Sequence, residues 1–265
     1  MAPLRGLFAL RARSDEVSIS AIETLWREYL QAYGEPQVRA ELHRRWGGDA
    51  NLTQGRIQFD YPPTFQPGYV GPAYYEADAR ILFLGYNPGE GKLQSSQDED
   101  KSLALGLQAF AKGQASLAQF SQFQSSHIVK WPIYRGKGIF SGTGDESISL
   151  LPAAVRPPVQ SVALLNLFPL KTIGNKKPLA GYGGSTTSLK AHMWECLVKP
   201  TIEALAPKLV VRYPDSDSYI SQLEQLKSKP HILRVWHPSD YNLSAQRAGL
   251  AESWLPLATC LAEGP

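Results

Sequence analysis

Four short apolar runs limit what this chain can become: Ala79-Arg-Ile-Leu-Phe-Leu84, Ser161-Val-Ala-Leu-Leu-Asn-Leu167, Lys208-Leu-Val-Val-Arg212 and His231-Ile-Leu-Arg-Val-Trp236. Each is too short for an ordinary helix and too uniformly apolar for a strand with one wet face, so each reads as a strand buried on both faces. Between them lie helical stretches at Leu103 to Lys112, Thr187 to Leu205 and Asp215 to Lys227, with a last helix near Gln246 to Leu261. Strands alternating with helices predict the α/β class, here a four-stranded parallel sheet with helices on both faces.

Upstream, Ser20-Ala-Ile-Glu23 reads as a capping box opening a helix. Its Ile22, Leu25, Trp26, Tyr29 and Leu30 share one face, and Gly34-Glu-Pro36 ends it. From Gly55 to Tyr75 the composition turns to Pro, Gly and aromatics, which suits an extended segment wrapping the surface. No linker or internal repeat divides the 265 residues. The expectation is one domain, residues 1–78 forming a helical and extended wrap and residues 79–265 the α/β core.

Cys196 and Cys260 are the two cysteines, too few for a four-thiolate metal site or a disulfide framework. No apolar run approaches the ~18–20 residues that span a bilayer. The basic start, Met1 to Arg13, is followed by no cleavage pattern. A soluble, cytoplasmic (bacterial) or intracellular protein is therefore expected, not a secreted or membrane one. The net charge of +3 neither announces nor forbids a nucleic-acid partner.

In open α/β sheets the ligand sits outside the carboxyl ends of the strands, so the polar residues that end these strands matter most. They are Asn87 in Gly85-Tyr86-Asn87-Pro88-Gly89, Asn166 in Leu165-Asn-Leu-Phe-Pro-Leu170, and His237 in Trp236-His-Pro-Ser-Asp-Tyr-Asn242. Alone, each has a plain structural reading: a turn, a satisfied buried amide, a packed histidine. Three polar ends after three separate strands form a constellation.

These residues resemble the uracil-DNA glycosylase superfamily. Ile81-Leu-Phe-Leu-Gly-Tyr-Asn-Pro-Gly89 looks like the Gly-x-Asn-Pro-Gly motif of its mismatch-specific and single-strand-selective monofunctional branches. Asn166-Leu-Phe-Pro-Leu170 is similar to the Asn-Leu-x-Pro-Leu segment of the latter, and His237-Pro-Ser239 to the family's last motif. The motifs, 79 and 71 residues apart, fall in the family's order along the chain, and the resemblance covers about Ala79 to Ala262.

What the resemblance implies is hydrolysis of the N-glycosidic bond of a flipped nucleotide, on a uracil-DNA glycosylase-like fold. That reaction needs a water placed behind the sugar C1′, a donor for charge developing on the departing base, and a pocket for the base. By resemblance, Asn87 orients the water. The amide of Asn166 can pair with the polar edge of a pyrimidine, and His237 can donate to the pyrimidine O2 as charge builds there. Gly85, Tyr86, Pro88, Gly89 and Phe110 are the further base-binding candidates.

Ser239 and Asn242 fall to the DNA backbone, and Tyr241 stands where family members insert a residue into the gap left by the base; an idle loop tyrosine is the alternative. Lys171, Lys176 and Lys177 form a basic cluster for DNA or a merely solvated loop. No lysine lies within the three motifs to form a Schiff base, so the expected enzyme is monofunctional and leaves an abasic site. No metal or cofactor is expected, the partner is DNA, and the expected state is a monomer. The alternative is a non-catalytic module that senses modified bases in DNA. A third reading, a nucleotide-binding enzyme using Gly85 to Gly91 as a phosphate loop, is the weakest, because neither nucleotide-binding glycine pattern occurs.

Two departures bear on substrate. Uracil specialists carry a tyrosine two positions beyond the water-orienting residue to block the pyrimidine C5, and here that position is Gly89. Glu90 to Leu107 also lacks the aromatic that stacks on the base; Phe110, Phe120, Phe123 and Trp131 are the next candidates. The polar loop-like segment Lys92 to Gly144 points to a larger substrate, a uracil or 5-modified pyrimidine such as a bulky modified cytosine of viral DNA. Repair and antiviral defence are both open as roles.

Overall fold

The apolar runs fold as strands, and a fifth, shorter strand joins them. The computed structural model describes residues 19–35, 68–85, 94–129, 137–143, 149–169, 191–213, 219–238 and 244–263. Its strands are β1 Tyr69–Val70, β2 Ile81–Gly85, β3 Val162–Asn166, β4 Leu209–Arg212 and β5 His231–Arg234. The helices are α1 Ile19–Gly34, α2 Gln94–Ala111, α3 Leu117–Ile128, α4 Lys199–Leu205, α5 Ile220–Glu224 and α6 Ser244–Glu263, with a π-helical turn, Trp194–Val198, leading into α4.

The sheet order is β1-β3-β2-β4-β5. β2, β4 and β5 run parallel in one register, from Ile81, Leu209 and His231 to Leu84, Arg212 and Arg234. β1 lies antiparallel to β3, with Tyr69 opposite Leu164 and Val70 opposite Ala163. The expected four-stranded parallel sheet is thus corrected to a five-stranded, mostly parallel one within the expected α/β class. The added strand comes from the segment read as a surface wrap. Gly71 permits it, since a β-carbon there would lie 2.0 Å from the carbonyl oxygen of Gln160. The Gly71 and Ala73 amides instead donate to Val162 and Gln160 at 2.9 Å, extending the ladder.

The chain divides into two compact units that interleave along the sequence. One holds the described residues of Met1–Gly68, Tyr86–Phe120 and Asn166–Leu205; the other those of Tyr69–Gly85, Ser121–Leu165 and Ala206–Pro265.

In the second unit, Ile81 and Phe83 of β2, Leu209 and Val211 of β4, and Trp254 and Leu257 of α6 belong to one buried apolar cluster. Phe83 meets Phe140 edge-on at 5.7 Å and stacks on Trp254 at 6.4 Å. The alternate residues Leu82, Leu84 and Val210 are buried too, so both faces of β2 and β4 are covered. β5, expected to be buried likewise, is instead exposed at His231 and Arg234 and half-buried at Ile232 and Leu233, because it is the outer strand among the described residues. Each strand of the parallel trio is entered through a non-glycine residue in the left-handed region of φ: Arg80 at 38°, Ala206 at 43° and Lys229 at 43°. Such a residue costs about 1–2 kcal/mol. The cost is offset where the ladder continues into these turns, Lys208 N donating to Arg80 O at 3.2 Å and His231 N to Lys208 O at 2.8 Å.

The first unit is held by polar contacts threaded through an apolar interior. α1 buries Ile22, Trp26, Tyr29 and Leu30, as its spacing requires. Its polar groups then reach across: Trp26 Nε1 donates to Thr201 Oγ1 at 2.9 Å, Gln31 Nε2 to Ala111 O at 2.8 Å, and Arg27 Nε to Phe110 O at 3.2 Å. The last two satisfy carbonyls that the end of α2 leaves without intrahelical partners.

The capping box expected at Ser20 and Glu23 is not formed, because α1 begins at Ile19 and the Glu23 carboxylate is used elsewhere. Glu23 accepts from Leu117 N at 2.8 Å and pairs with Arg27 Nη2 at 2.6 Å. The reciprocal box belongs to α3, where Gln119 N donates to Ser116 Oγ at 3.2 Å and Ser116 N to Gln119 Oε1 at 2.8 Å. α3 lies in the segment read as polar loop. α2 begins nine residues before the expected Leu103, at Gln94, and of the helix expected over Asp215 to Lys227 the described residues show Ile220–Glu224.

Candidate site at the carboxyl ends of the strands

Because β2, β4 and β5 share a register, Leu84, Arg212 and Arg234 end side by side and the residues beyond them emerge along one edge. Gly85 follows Leu84 as the last, half-buried residue of β2. Tyr213 follows Arg212 and is buried. Val235 adds one more rung, its amide donating to Arg212 O at 3.0 Å. Trp236 and His237 come next.

His237 is half-buried, and its ring meets Tyr213 edge-on, with centroids 4.6 Å apart and planes at 74°. An imidazole held this way keeps a fixed orientation while part of its perimeter stays accessible, which suits a hydrogen-bond donor more than a core histidine. The backbone just before it is clamped by α6: Trp236 N donates to Ser253 Oγ at 3.1 Å, and Trp236 O accepts from Trp254 Nε1 at 3.0 Å. Pro238, itself buried, removes backbone freedom on the other side.

Asn166 is the last, half-buried residue of β3, a strand end as expected. Phe110 behaves differently. It is fully buried in the first unit, its ring stacked on Phe120 at 5.7 Å and lying under the Arg27 guanidinium at 5.1 Å. A ring engaged in this way packs the helices and offers no open face to a base, which corrects its assignment as a base-binding residue. Asn87, Tyr86, Pro88, Gly89, Lys171, Lys176, Lys177, Ser239, Tyr241 and Asn242 lie outside the described residues, as does Trp131.

Neither thiol is activated: burial, then Glu195, raises the Cys196 pKa, and burial, then Glu263, raises that of Cys260. Cysteine nucleophiles need the opposite shift. Among the described residues no group of three or more His, Cys, Asp or Glu side chains is gathered to hold a metal ion, and no helix is long and apolar enough to cross a membrane.

Sequence reasoning misses Tyr213, Ser253 and Trp254, which orient the His237 turn. Tyr213 carries a usable signal, as the first residue past a buried strand. Ser253 and Trp254 carry none, since their role depends on where α6 docks. No protein-family model matches this chain, and no curated protein sequence is significantly similar to it.

Proposed function

We propose that this protein is a monofunctional DNA glycosylase of the uracil-DNA glycosylase kind, acting on a flipped uracil or 5-modified pyrimidine. The observation that carries the reading is His237, fixed by Tyr213 just beyond the carboxyl end of β5 and still partly exposed. Asn166 at the end of β3 and Gly85 at the end of β2 agree with it.

In this reading the bond between C1′ and the base nitrogen breaks, and its electron pair leaves with the base. His237 donates a hydrogen bond to the pyrimidine O2 as that charge grows, favouring the transition state over the ground state. Water, oriented by the amide oxygen of Asn87, bonds to C1′ and loses its proton to solvent. Asn166 pairs with the polar edge of the base, and Ser239, Tyr241 and Asn242 meet the strand beside it. An abasic site and a free base are the products.

The test is mass analysis of free base released from DNAs carrying uracil or different 5-modified pyrimidines. His237→Ala is expected to slow single-turnover release by about 10²-fold, the scale of one lost transition-state donor. Asn87→Ala is expected to lose most turnover while keeping DNA binding. DNA binding with no release from any substrate would instead make the chain a base-sensing module. If the C5 side is open at Gly89, Gly89→Tyr should suppress release of 5-substituted bases and spare uracil.

A further inference from the structure

Trp236 is 48% exposed, while its neighbour in the second unit, Trp254, is wholly buried. An exposed indole offers a ligand a flat apolar face, so the way it is held matters. Both of its backbone polar groups are tied to α6, to Ser253 Oγ and Trp254 Nε1. Ser253 Oγ is itself anchored, donating to Leu250 O at 2.7 Å. The ring is therefore displayed from a fixed base rather than from a mobile loop tip, and a ligand meeting it has little backbone left to order.

One cation stands beside it, and its stretch of sequence is basic. The guanidinium of Arg234, the exposed last residue of β5, stands over the Trp236 ring at 5.6 Å from the centroid. From Lys229 to Pro238 the sequence carries the cations Lys229 and Arg234 and no acidic residue, Asp240 being the first beyond it. β5 is also the outer strand of the sheet, with no further strand beside it among the described residues. Glu252, on α6 next to Ser253, is an exposed carboxylate on the adjoining helix.

A flat electron-rich ring next to a planar cation matches one partner chemistry well. A nucleobase stacks on the indole, and the phosphate beside it accepts from the guanidinium. An apolar peptide would use the ring but gain nothing from the cations. We infer that Arg234 and Trp236 form a stacking platform for an unpaired base and its phosphate on a single strand of DNA, outside the pocket that takes the flipped nucleotide. The inference rests on the reading of the chain as a DNA enzyme for the identity of its natural ligand, and its test does not depend on catalysis.

The test is fluorescence anisotropy with a labelled, unmodified oligothymidine of about sixteen nucleotides, the upper site size of a single-strand-binding fold. A duplex of equal length serves as comparison. Trp236→Ala should weaken single-strand binding about tenfold or more, the loss of one base stack, with little effect on the duplex. Trp236→Phe should restore most of it. Arg234→Ala should also weaken binding and reduce the salt slope by about 0.7, whereas Trp236→Ala should leave that slope unchanged.

Because the clamps to Ser253 and Trp254 use Trp236 backbone atoms, substitution of its side chain leaves them in place, and an unchanged melting temperature verifies folding. Binding by Trp236→Ala within twofold of wild type would overturn the platform. So would equal losses on single strand and duplex, failure of Phe to rescue, or a wild-type protein that does not bind the single strand. If the platform results hold but no base is ever released from modified DNA, the glycosylase reading falls and the platform stands. If base is released and Trp236→Ala binds the single strand as wild type does, the platform falls and the glycosylase reading stands.

Discussion

The two units solve the same problem of stability by different means. The sheet unit buries an apolar cluster in which rings meet rings, Phe83 against Phe140 and Trp254. The helical unit buries comparable apolar residues on α1 but fixes their arrangement through single polar atoms: Trp26 to Thr201, Arg27 to Phe110 O, Glu23 to Leu117 N. Apolar burial is strong and tolerant of small shifts, whereas hydrogen bonds between distant segments are weaker and specific in geometry. Volume therefore holds the sheet unit together, while register holds the helical one.

Substitutions put that contrast to the test. Trp254→Ala removes a fully buried ring and the donor to Trp236 O, and should cost about 3–5 kcal/mol, read as a lowered urea midpoint. A loss under about 1 kcal/mol would show that the ring stack is not what holds the sheet unit. Glu23→Ala should cost less, about 1–3 kcal/mol, because Leu117 N loses its acceptor and Arg27 loses its carboxylate partner while keeping the carbonyls of Phe110 and Ala115. Glu23→Gln should recover part of it, since an amide oxygen can still accept from Leu117 N. Equal stability of the Ala and Gln proteins would mean that Glu23 acts through charge alone.

The smallest effect is set by pH. Burial raises the phenol pKa of Tyr69, and burial together with Tyr75 raises that of Tyr74 despite the opposing influence of Arg80; both lie in the sheet unit. Below the ordinary value of 10.0 both phenols are neutral, folded or unfolded, so stability is flat there. Above it the unfolded chain ionises first and binds fewer protons, so stability falls as pH rises towards the folded-state values. The slope is roughly 1 kcal/mol per tyrosine for each pH unit. Tyr69→Phe should shallow that slope in alkaline melts, and an unchanged slope would exclude Tyr69 from it.

The contrast also explains what can be read from the sequence. Runs such as Ile81 to Leu84 and Leu209 to Arg212 announce buried strands because composition alone decides a strand covered on both faces. The helix α1 is legible from the spacing of Ile22, Trp26, Tyr29 and Leu30. Glu23 misleads because a capping box is a local pattern, and nothing local reveals that Leu117 takes the carboxylate. β1 is hidden for the same reason, its two residues being strand only because Gly71 admits the Gln160 carbonyl. At the candidate site, Asn166 and His237 follow from the rule that ligands gather at strand ends. Phe110 is misplaced when an aromatic is chosen for its position in the chain, because its ring already stacks on Phe120.

The interleaving of the units governs how the protein can be made. The chain leaves one unit for the other after Gly68, Gly85, Phe120, Leu165 and Leu205, so neither unit is a continuous stretch that a ribosome could release complete. Phe83 emerges long before the Trp254 that covers it. At synthesis rates of about 5–20 residues per second, β2 waits on the order of ten to thirty seconds for the ring that completes its core. Through that interval its apolar strand edges lack the ring that covers them, the condition under which unpaired edges are open to wrong pairing.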